Sequence, residues 1–499
     1  MHEVLIGLDV GTSSSKGVVC APDGAILRTA TRAHGLDLPR PGWAEHDAEG
    51  VWWRDVVDLL RELTGAFPDD SVAAVCVSGI GPCLLPATAA GEPLRPAILY
   101  GIDTRATREI EEMTDRYGAE EILRRSGSPL TSQAIGPKLA WLARQEPEIW
   151  ARTRRLYMAS SFVVARLAGE YVLDHHSASQ SDPLYDVGTH SWNDAWARDI
   201  APQLELPRLA WPAEVVGAVT ASAGALTGLT PDTPVCAGTI DAWAEAVSVG
   251  VVEPGDLMLM YGTTMFLVLM AVEPVPNPRL WTTVGAFPGS ASVAAGMATS
   301  GAVTDWFRTL VGGPPFETLL QAASEAPAGS EGLLVLPYFA GERTPIFDPQ
   351  ARGVICGLTL RHGVGHLYRA ILEGTAYAVR HHLDVFAEVG AAPNRIVAVG
   401  GGTQGDLWTQ IVSDVTGRPQ ALPAETVGAA YGDAFLAAVG VGLEHAGGTW
   451  ARADRQVEPD LRSRARYDEL YGLYRDLHPS TRRHQHALAA VGLSESPTG

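Results

Sequence analysis

The chain has 499 residues, 46% of them hydrophobic, with 57 Asp+Glu against 37 Lys+Arg and a formal net charge of −20. Length and apolar content suit two to four domains, each with its own core, and exclude a largely disordered chain. A strongly negative balance repels polyanions, which excludes general binding to nucleic acid or to an anionic membrane surface.

The first expected element is a strand over Glu3–Leu8, an apolar run that ends at Asp9. After the turn Gly11-Thr12-Ser13-Ser14-Ser15, Gly17–Cys20 resumes as a strand. Beyond Pro22-Asp23-Gly24 a third strand covers Ala25–Ala30, giving a meander whose first turn is small and polar. Val51–Leu63 has helical apolar spacing, and Val72–Val77 reads as a short buried strand ending at Ser78-Gly79. Helices are predicted over Arg105–Tyr117, Gly136–Arg144 and Ser160–Leu167. A second series opens with a strand at Pro234–Ala237, the turn Gly238-Thr239 and a helix over Asp241–Val249. The cluster Val252-Glu253-Pro254-Gly255-Asp256 leads into strands Leu257–Tyr261 and Met265–Met270, split by Gly262-Thr263-Thr264. Strand, small polar turn, strand thus occurs at about 5–20 and again at 257–270, a weak internal repeat with the domain junction near 245–255. Further on come a strand over Arg395–Val399, the glycine turn Gly400–Gly405, and helices over Asp406–Val415 and Ala434–Val439. The tail from about 456 is charged and helix-prone.

The five cysteines (Cys20, Cys76, Cys83, Cys236 and Cys356) are scattered with no CxxC pair, which points away from a disulfide framework and from zinc. No basic segment precedes an apolar run at the start. The most apolar stretch, Leu257 to Val272, is interrupted by its Gly-Thr turn. A cytoplasmic chain with no membrane span is expected.

Asp9 ends a strand, where a carboxylate can hold hydrated Mg²⁺, and the amides and hydroxyls of Thr12, Ser13 and Ser14 can accept phosphate oxygens, with Lys16 adding a point charge. The competing reading is a polar hairpin turn with no ligand. Gly262, Thr263 and Thr264 form a second turn of the same kind, and two such loops could grip one polyphosphate. Asp241 sits where a strand, a turn and a helix meet, and could take the proton of a substrate hydroxyl attacking phosphorus; alternatively it is a first-turn acid facing the helix dipole. Gly400–Gly405 formally matches GxGxxG between a strand and a helix, which keeps a nicotinamide-dependent dehydrogenase as a rival. No clear acid ends a strand about 20 residues on, Glu425 being in a loop-like segment. The pairs His175-His176 and His381-His382 lack a third ligand at metal spacing.

In order and spacing, these segments resemble the FGGY family of carbohydrate kinases, with its xylulose kinases, from Ile6 to about Gly442. The resemblance rests on DVGTSSSKG at 9–17, PGWAEHD at 41–47, DTRA at 103–106 and GTIDAWAEA at 238–246. It continues through EPGDLMLMYGTT at 253–264, ATSGAVTDWF at 298–307, GLTLRHGVGHLYRAILEG at 357–374 and GGGTQGDLWTQIVSDVTGRP at 400–419. It implies an α/β fold of the two-domain actin/hexokinase-like (ribonuclease H-like) ATPase type with a central cleft. The implied N-terminal domain covers 1–247 and the C-terminal domain 248–455, with a helical tail over 456–499. It implies ATP and Mg²⁺ as cofactors, with Asp241 as the base and Asp9 as the metal-coordinating carboxylate. Thr12, Ser13, Ser14 and Lys16 would line the first phosphate loop, and Gly262, Thr263 and Thr264 the second. Gly301 and Asp305 would lie beside the nucleotide, and Gly401, Gly402 and Asp406 would flank the adenosine. Ser78, Gly81, Asp103, Arg105 and Asp241 would face the sugar. Where xylulose kinases of the family carry Gln-Met-His-Gly after Ser-Gly, this chain reads Ile80-Gly81-Pro82-Cys83, so the sugar contacts must come from elsewhere. A ketopentose or related polyol is the expected acceptor. A non-catalytic sugar-binding regulator on the same fold is the other rival, and kinases of this type commonly pair as homodimers.

Overall fold

The computed structural model describes residues 3–67, 71–424 and 427–494. The chain forms two compact units: the first comprises Met1–Pro254, Met270–Val293 and Val427–Ala451, the second Gly255–Leu269, Ala294–Thr426 and Arg452–Gly499. These units are not contiguous in sequence, as the expected spans 1–247 and 248–455 are.

The first unit is built on a mixed sheet. Strand Glu3–Val10 pairs antiparallel with Ser14–Cys20, which pairs antiparallel with Ile26–Ala33, the meander the sequence predicts. On its other side Glu3–Val10 runs parallel to Ser71–Gly79, which in turn runs parallel to Pro234–Cys236 and Thr239–Ile240. Alternation along the first strand feeds two cores. Val4, Ile6, Leu8 and Val10 join Trp52, Val56, Leu59 and Leu60, whereas Leu5 faces Ala430, Ala434 and Phe435. Covering both faces explains why the strand reads as a nearly continuous apolar run. The second core is a close approach of backbones, since a Cβ at Gly7 would lie 1.9 Å from Ala430 O.

Helix Arg54–Gly65 follows a wide turn at Ala48–Trp53 whose N-terminal amides are capped by Asp47. The helix predicted from Arg105 begins at Thr107, because Arg105 and Asp103 are drawn into a buried ion pair ahead of it. The helix predicted over Ala434–Val439 runs from Ala429 to Gly440; its glycines and alanines serve close packing rather than turns.

In the second unit the sheet runs Met265–Ala271, Asp256–Tyr261, Arg395–Val399, Gln420–Pro423, Ala453–Val457. Asp256–Tyr261 is antiparallel to Met265–Ala271 and parallel to Arg395–Val399, so the second hairpin repeats the first one's pairing scheme. Helix Val364–Glu388 is held by its buried Glu373, which accepts from Gly329 N, Ser330 Oγ, Arg369 and Tyr467. The expected helical tail opens instead on the strand Ala453–Val457, which pairs with Gln420–Pro423, and becomes helical only at Arg464–Ser494. Among the described residues, no helix is long and apolar enough to cross a membrane.

Candidate active site

Register brings the first unit's carboxylates together. Asp9 lies opposite Lys16 on one side and Ser78 on the other, and Ser78 is level with Thr239. Two residues after Thr239 the chain turns into helix Asp241–Ser248, so Asp9 and Asp241 lie at the carboxyl ends of the two strands that flank Ser71–Gly79, where open α/β sheets bind ligands. Asp174 anchors this corner by accepting from Thr239 Oγ1 at 2.9 Å and Ser177 N at 3.0 Å.

Desolvation dominates the electrostatics. Burial, reinforced by the charge of Asp241, raises the Asp9 carboxyl well above the ordinary range, opposed by Lys16. Asp241 is pushed up to about 6 by burial, and Glu245 to about 7 by burial with Lys16 opposing. Asp9 is 8% exposed and its Oδ1 is buried with no hydrogen-bond partner. The exposed Lys16 ammonium is the cation facing this group.

Two members of the cluster lie outside the sequence expectations. Glu245, four residues after Asp241, shares its helix face, a spacing legible in Asp241-Ala242-Trp243-Ala244-Glu245. Asp433 is fully buried and accepts from Ser78 N at 3.0 Å and Ser78 Oγ at 2.6 Å. Its partner is 355 residues away, and an acid inside an apolar helix was the sole signal.

Of the residues expected to face the sugar, Ser78 has its hydroxyl committed to Asp433. Gly81 presses on the residue before Asp241, a Cβ there lying 2.5 Å from Ile240 Cγ1. Asp103 and Arg105 form a closed assembly. The guanidinium donates to both Asp103 oxygens and to Glu45, and it lies 4.0 Å from the Trp43 ring centre and 5.0 Å from that of Trp141. Both side chains are 0% exposed, so they brace the wall instead of offering free donors. Beside them is Lys138, which the sequence did not single out; burial pushes its ammonium down to about 8.

The second unit holds a cavity of about 570 Å³. Its lining includes Tyr261, Gly262 and Thr263, with Gly301 and Thr304, and Gly401, Gly402, Gln404 and Gly405, of which Gly402 packs against Tyr261. Phe316, Leu320, Tyr368 and Trp408 supply apolar walls suited to a flat ring. Two walls are fixed by hydrogen bonds: Tyr261 OH donates to Gln420 at 2.6 Å and Trp408 Nε1 to Thr375 Oγ1 at 2.9 Å. The turn is tied to the N-terminus of helix Gly301–Leu310, since Gly301 N donates to Gly262 O and Ala302 N to Thr263 O, both at 3.0 Å. A Cβ on Gly301 would meet Gly262 O at 2.6 Å, and one on Gly402 would meet Trp408 at 2.8 Å. Thr264 is not among the lining residues, and its carbonyl accepts from Gly262 N at 3.1 Å.

Asp305 and Asp406 are not brought to this cavity. Asp305 is turned out on its helix to pair with Arg308 at 2.9 Å, and Asp406, its side chain 80% exposed, pairs with Arg455 at 2.6 Å. Gly400–Gly405 does follow a strand and precede a helix, as the dehydrogenase reading requires. Glu425, weighed there as the ribose acid, is outside the described residues.

Known proteins match along most of the chain. The model for the FGGY family of carbohydrate kinases, N-terminal domain, matches residues 4–248, and that for the family's C-terminal domain matches 257–441. A xylulose kinase of Escherichia coli (strain K12) is 32% identical, covering 88% of this chain and 90% of its own. A glycerol kinase of Nocardia farcinica is 29% identical, covering 94% and 97%. The crystal structure of xylulose kinase from Rhodospirillum rubrum superposes with a TM-score of 0.89 at 32% identity, covering 97% of this chain and all of that one.

Proposed function

The chain belongs to the FGGY family of carbohydrate kinases, and on that premise we propose that it transfers the γ-phosphoryl group of ATP to a primary hydroxyl of a ketopentose or related polyol, with Asp241 as the base. Membership makes it an ATP-dependent sugar kinase. Neither the dehydrogenase nor the non-catalytic regulator has support, because the kinase family models span both halves of the chain.

The observation that carries the base assignment is a half-buried carboxyl at the start of a helix that follows a strand, raised to about 6, beside a second carboxylate with an unpartnered oxygen. A base with that affinity is mostly ionised at neutral pH yet accepts a proton readily. Asp241 takes the hydroxyl proton as the sugar oxygen bonds to phosphorus and the bond to the ADP oxygen breaks. Thr12, Ser13, Ser14 and Lys16 take the phosphate oxygens, with Gly262 and Thr263 offering the second turn. Gly301, Gly401 and Gly402 border the adenosine cavity, where the absence of side chains lets a ring lie on backbone.

The orphaned Asp9 Oδ1 suits a hard cation. Among the described residues, no three His, Cys, Asp or Glu side chains form a cage. That fits Mg²⁺, which is held by one or two carboxylates and otherwise by water and substrate phosphates. When bound it would neutralise charge on the transferring phosphoryl group. Asp9 would hold it, with Glu245 next to it.

The acceptor is proposed from chemistry. Relatives named for xylulose and for glycerol share a primary alcohol flanked by hydroxyls. Gly81 and Pro82 leave no polar side chain to read the sugar at that position, so the contacts fall to side chains elsewhere in the site.

A panel of ketopentoses and polyols, assayed for ADP release with ATP and Mg²⁺, tests the reading. Wild type should turn over at least one acceptor. Asp241→Asn should lose roughly 10²–10⁴-fold in kcat while ATP affinity stays near normal. Unimpaired turnover by that variant would remove Asp241 as the base.

A further inference from the structure

Behind the first polar turn lies a buried pair that neither the sequence motifs nor the proposed mechanism uses. His34 follows strand Ile26–Ala33, and its side chain is 2% exposed. Its Nδ1 is 2.8 Å from Asp55 Oδ2 and its Nε2 is 3.1 Å from the carbonyl oxygen of Gly11. A carboxylate and a peptide carbonyl both accept hydrogen bonds, so beside an ionised Asp55 the network is satisfied with hydrogen on both ring nitrogens. Asp55, 4% exposed, is the counter-charge, and it also accepts from Ser15 Oγ at 3.1 Å.

The neighbours agree. His46 packs edge-on against His34 with ring centres 5.2 Å apart. It accepts from Trp52 Nε1 on Nδ1, as a neutral imidazole does, and is pushed down to about 4 by burial and by the His34 charge. Arg54 reaches the other Asp55 oxygen at 3.4 Å, and Asp37 is the remaining acid facing this pair of rings.

Peptide geometry gives the pair its consequence. A trans peptide points its C=O and its N–H to opposite sides. Gly11 O bonds the His34 ring, which turns the Thr12 N–H to the opposite face of the loop. Ser13 O accepts from His34 N at 3.0 Å, which turns the Ser14 N–H the same way. One residue therefore fixes two peptide planes of the Gly11–Ser14 turn. Its charge draws on the first carbonyl, which strengthens the paired N–H as a donor. Amides set in advance toward an anion need no reorganisation when it arrives.

We propose that His34, held by Asp55, is a positioning residue that clamps the Gly11–Ser14 turn with its amides aimed at the phosphate chain of the nucleotide. The proposal rests on the reading of this turn as a phosphate loop.

Calorimetric titration of ATP and of adenosine into His34→Gln, Asp55→Asn and Lys16→Gln, with melting temperatures for each, tests it. Glutamine offers one donor group in place of the two opposed ones, and Asp55→Asn is nearly isosteric, so at least one folded variant is expected. For His34→Gln and Asp55→Asn, ATP affinity should fall roughly 10-fold, in line with losing aligned donors to a charged group, with adenosine affinity unchanged. In a folded protein the loss should appear in kcat/KM for ATP and leave KM for the sugar alone. Equal losses for ATP and adenosine would overturn the clamp, since they report general damage. Unchanged ATP binding in both variants, with Lys16→Gln weakened, would overturn the clamp and leave the phosphate loop standing. Unchanged ATP binding in all three would overturn the phosphate-loop reading and the clamp with it.

Discussion

Asp241, the proposed base, illustrates how a carboxyl drawn out of water costs stability. Its carboxyl sits at about 6 in the folded chain against an ordinary 3.8, because burial disfavours the charged form. Between those pH values the folded state binds more protons than the unfolded state, so stability falls as pH rises through the window and stays reduced above it. A neutral isostere removes that cost. Asp241→Asn should therefore unfold at higher urea than wild type at pH 7.5, by on the order of 2 kcal/mol, with the gap closing near pH 4. A variant less stable than wild type at pH 7.5 would show that the charged carboxylate is compensated after all. Asp9 and Asp241 were legible in the sequence because each lies next to a Gly-Thr turn at the end of an apolar strand, which is local information. Glu245 was legible in principle from its four-residue spacing. Asp433 and the His34–Asp55 pair were not, because their meaning lies in hydrogen bonds to residues 355 and 21 positions away.

Elements lock together here through missing side chains. Helix Ala429–Gly440 touches strand Glu3–Val10 at Gly7, and it touches helix Asp241–Ser248 at Gly432, where a Cβ would be 1.9 Å from Ala244 O. That contact fixes the helix carrying Asp241 and Glu245. Gly432→Ala should destabilise the protein by about 3 kcal/mol, at the upper end for overpacking because the obstacle is backbone, and should lower kcat as well. Gly472 is the contrast: it is exposed inside helix Arg464–Ser494, and a Cβ there would meet nothing within 4 Å. Gly472→Ala should stabilise by about 0.5–1 kcal/mol. Urea unfolding of the two variants checks both signs, and a neutral Gly432→Ala would mean the helices can move apart freely. The meander and the second hairpin were legible from apolar runs broken by small polar turns. Helix Ala429–Gly440 was read too short, since glycines that permit close packing look like glycines that make turns. Strand Ala453–Val457 was missed because its exposed, charged residues carry no apolar alternation.

At the scale of the whole molecule, the unusual feature is where basic charge is spent. Only Lys16 and Lys138 are lysines, leaving 35 arginines among the 37 basic residues, and many of those arginines are paired with carboxylates. An acidic molecule gains nothing from long-range attraction to ATP, so its hold on phosphate must be local; in the proposed site that task falls to the amides of the first turn and the Lys16 ammonium. Lys16 is exposed on strand Ser14–Cys20 just past the first turn, while Lys138 is 1% exposed with its ammonium lowered to about 8. On basicity alone Lys138 would be the more reactive amine at pH 8, and only burial protects it. Limited acetylation at that pH should therefore modify one lysine, Lys16, as read by peptide mass mapping. Activity should fall in proportion to that modification, because acetylation removes the charge beside Asp9 and Glu245. Saturating ATP should slow the reaction, since phosphate oxygens would occupy the ammonium. Acetylation of Lys138 at a comparable rate would contradict its burial, and full activity with Lys16 acetylated would remove that lysine from the phosphate site.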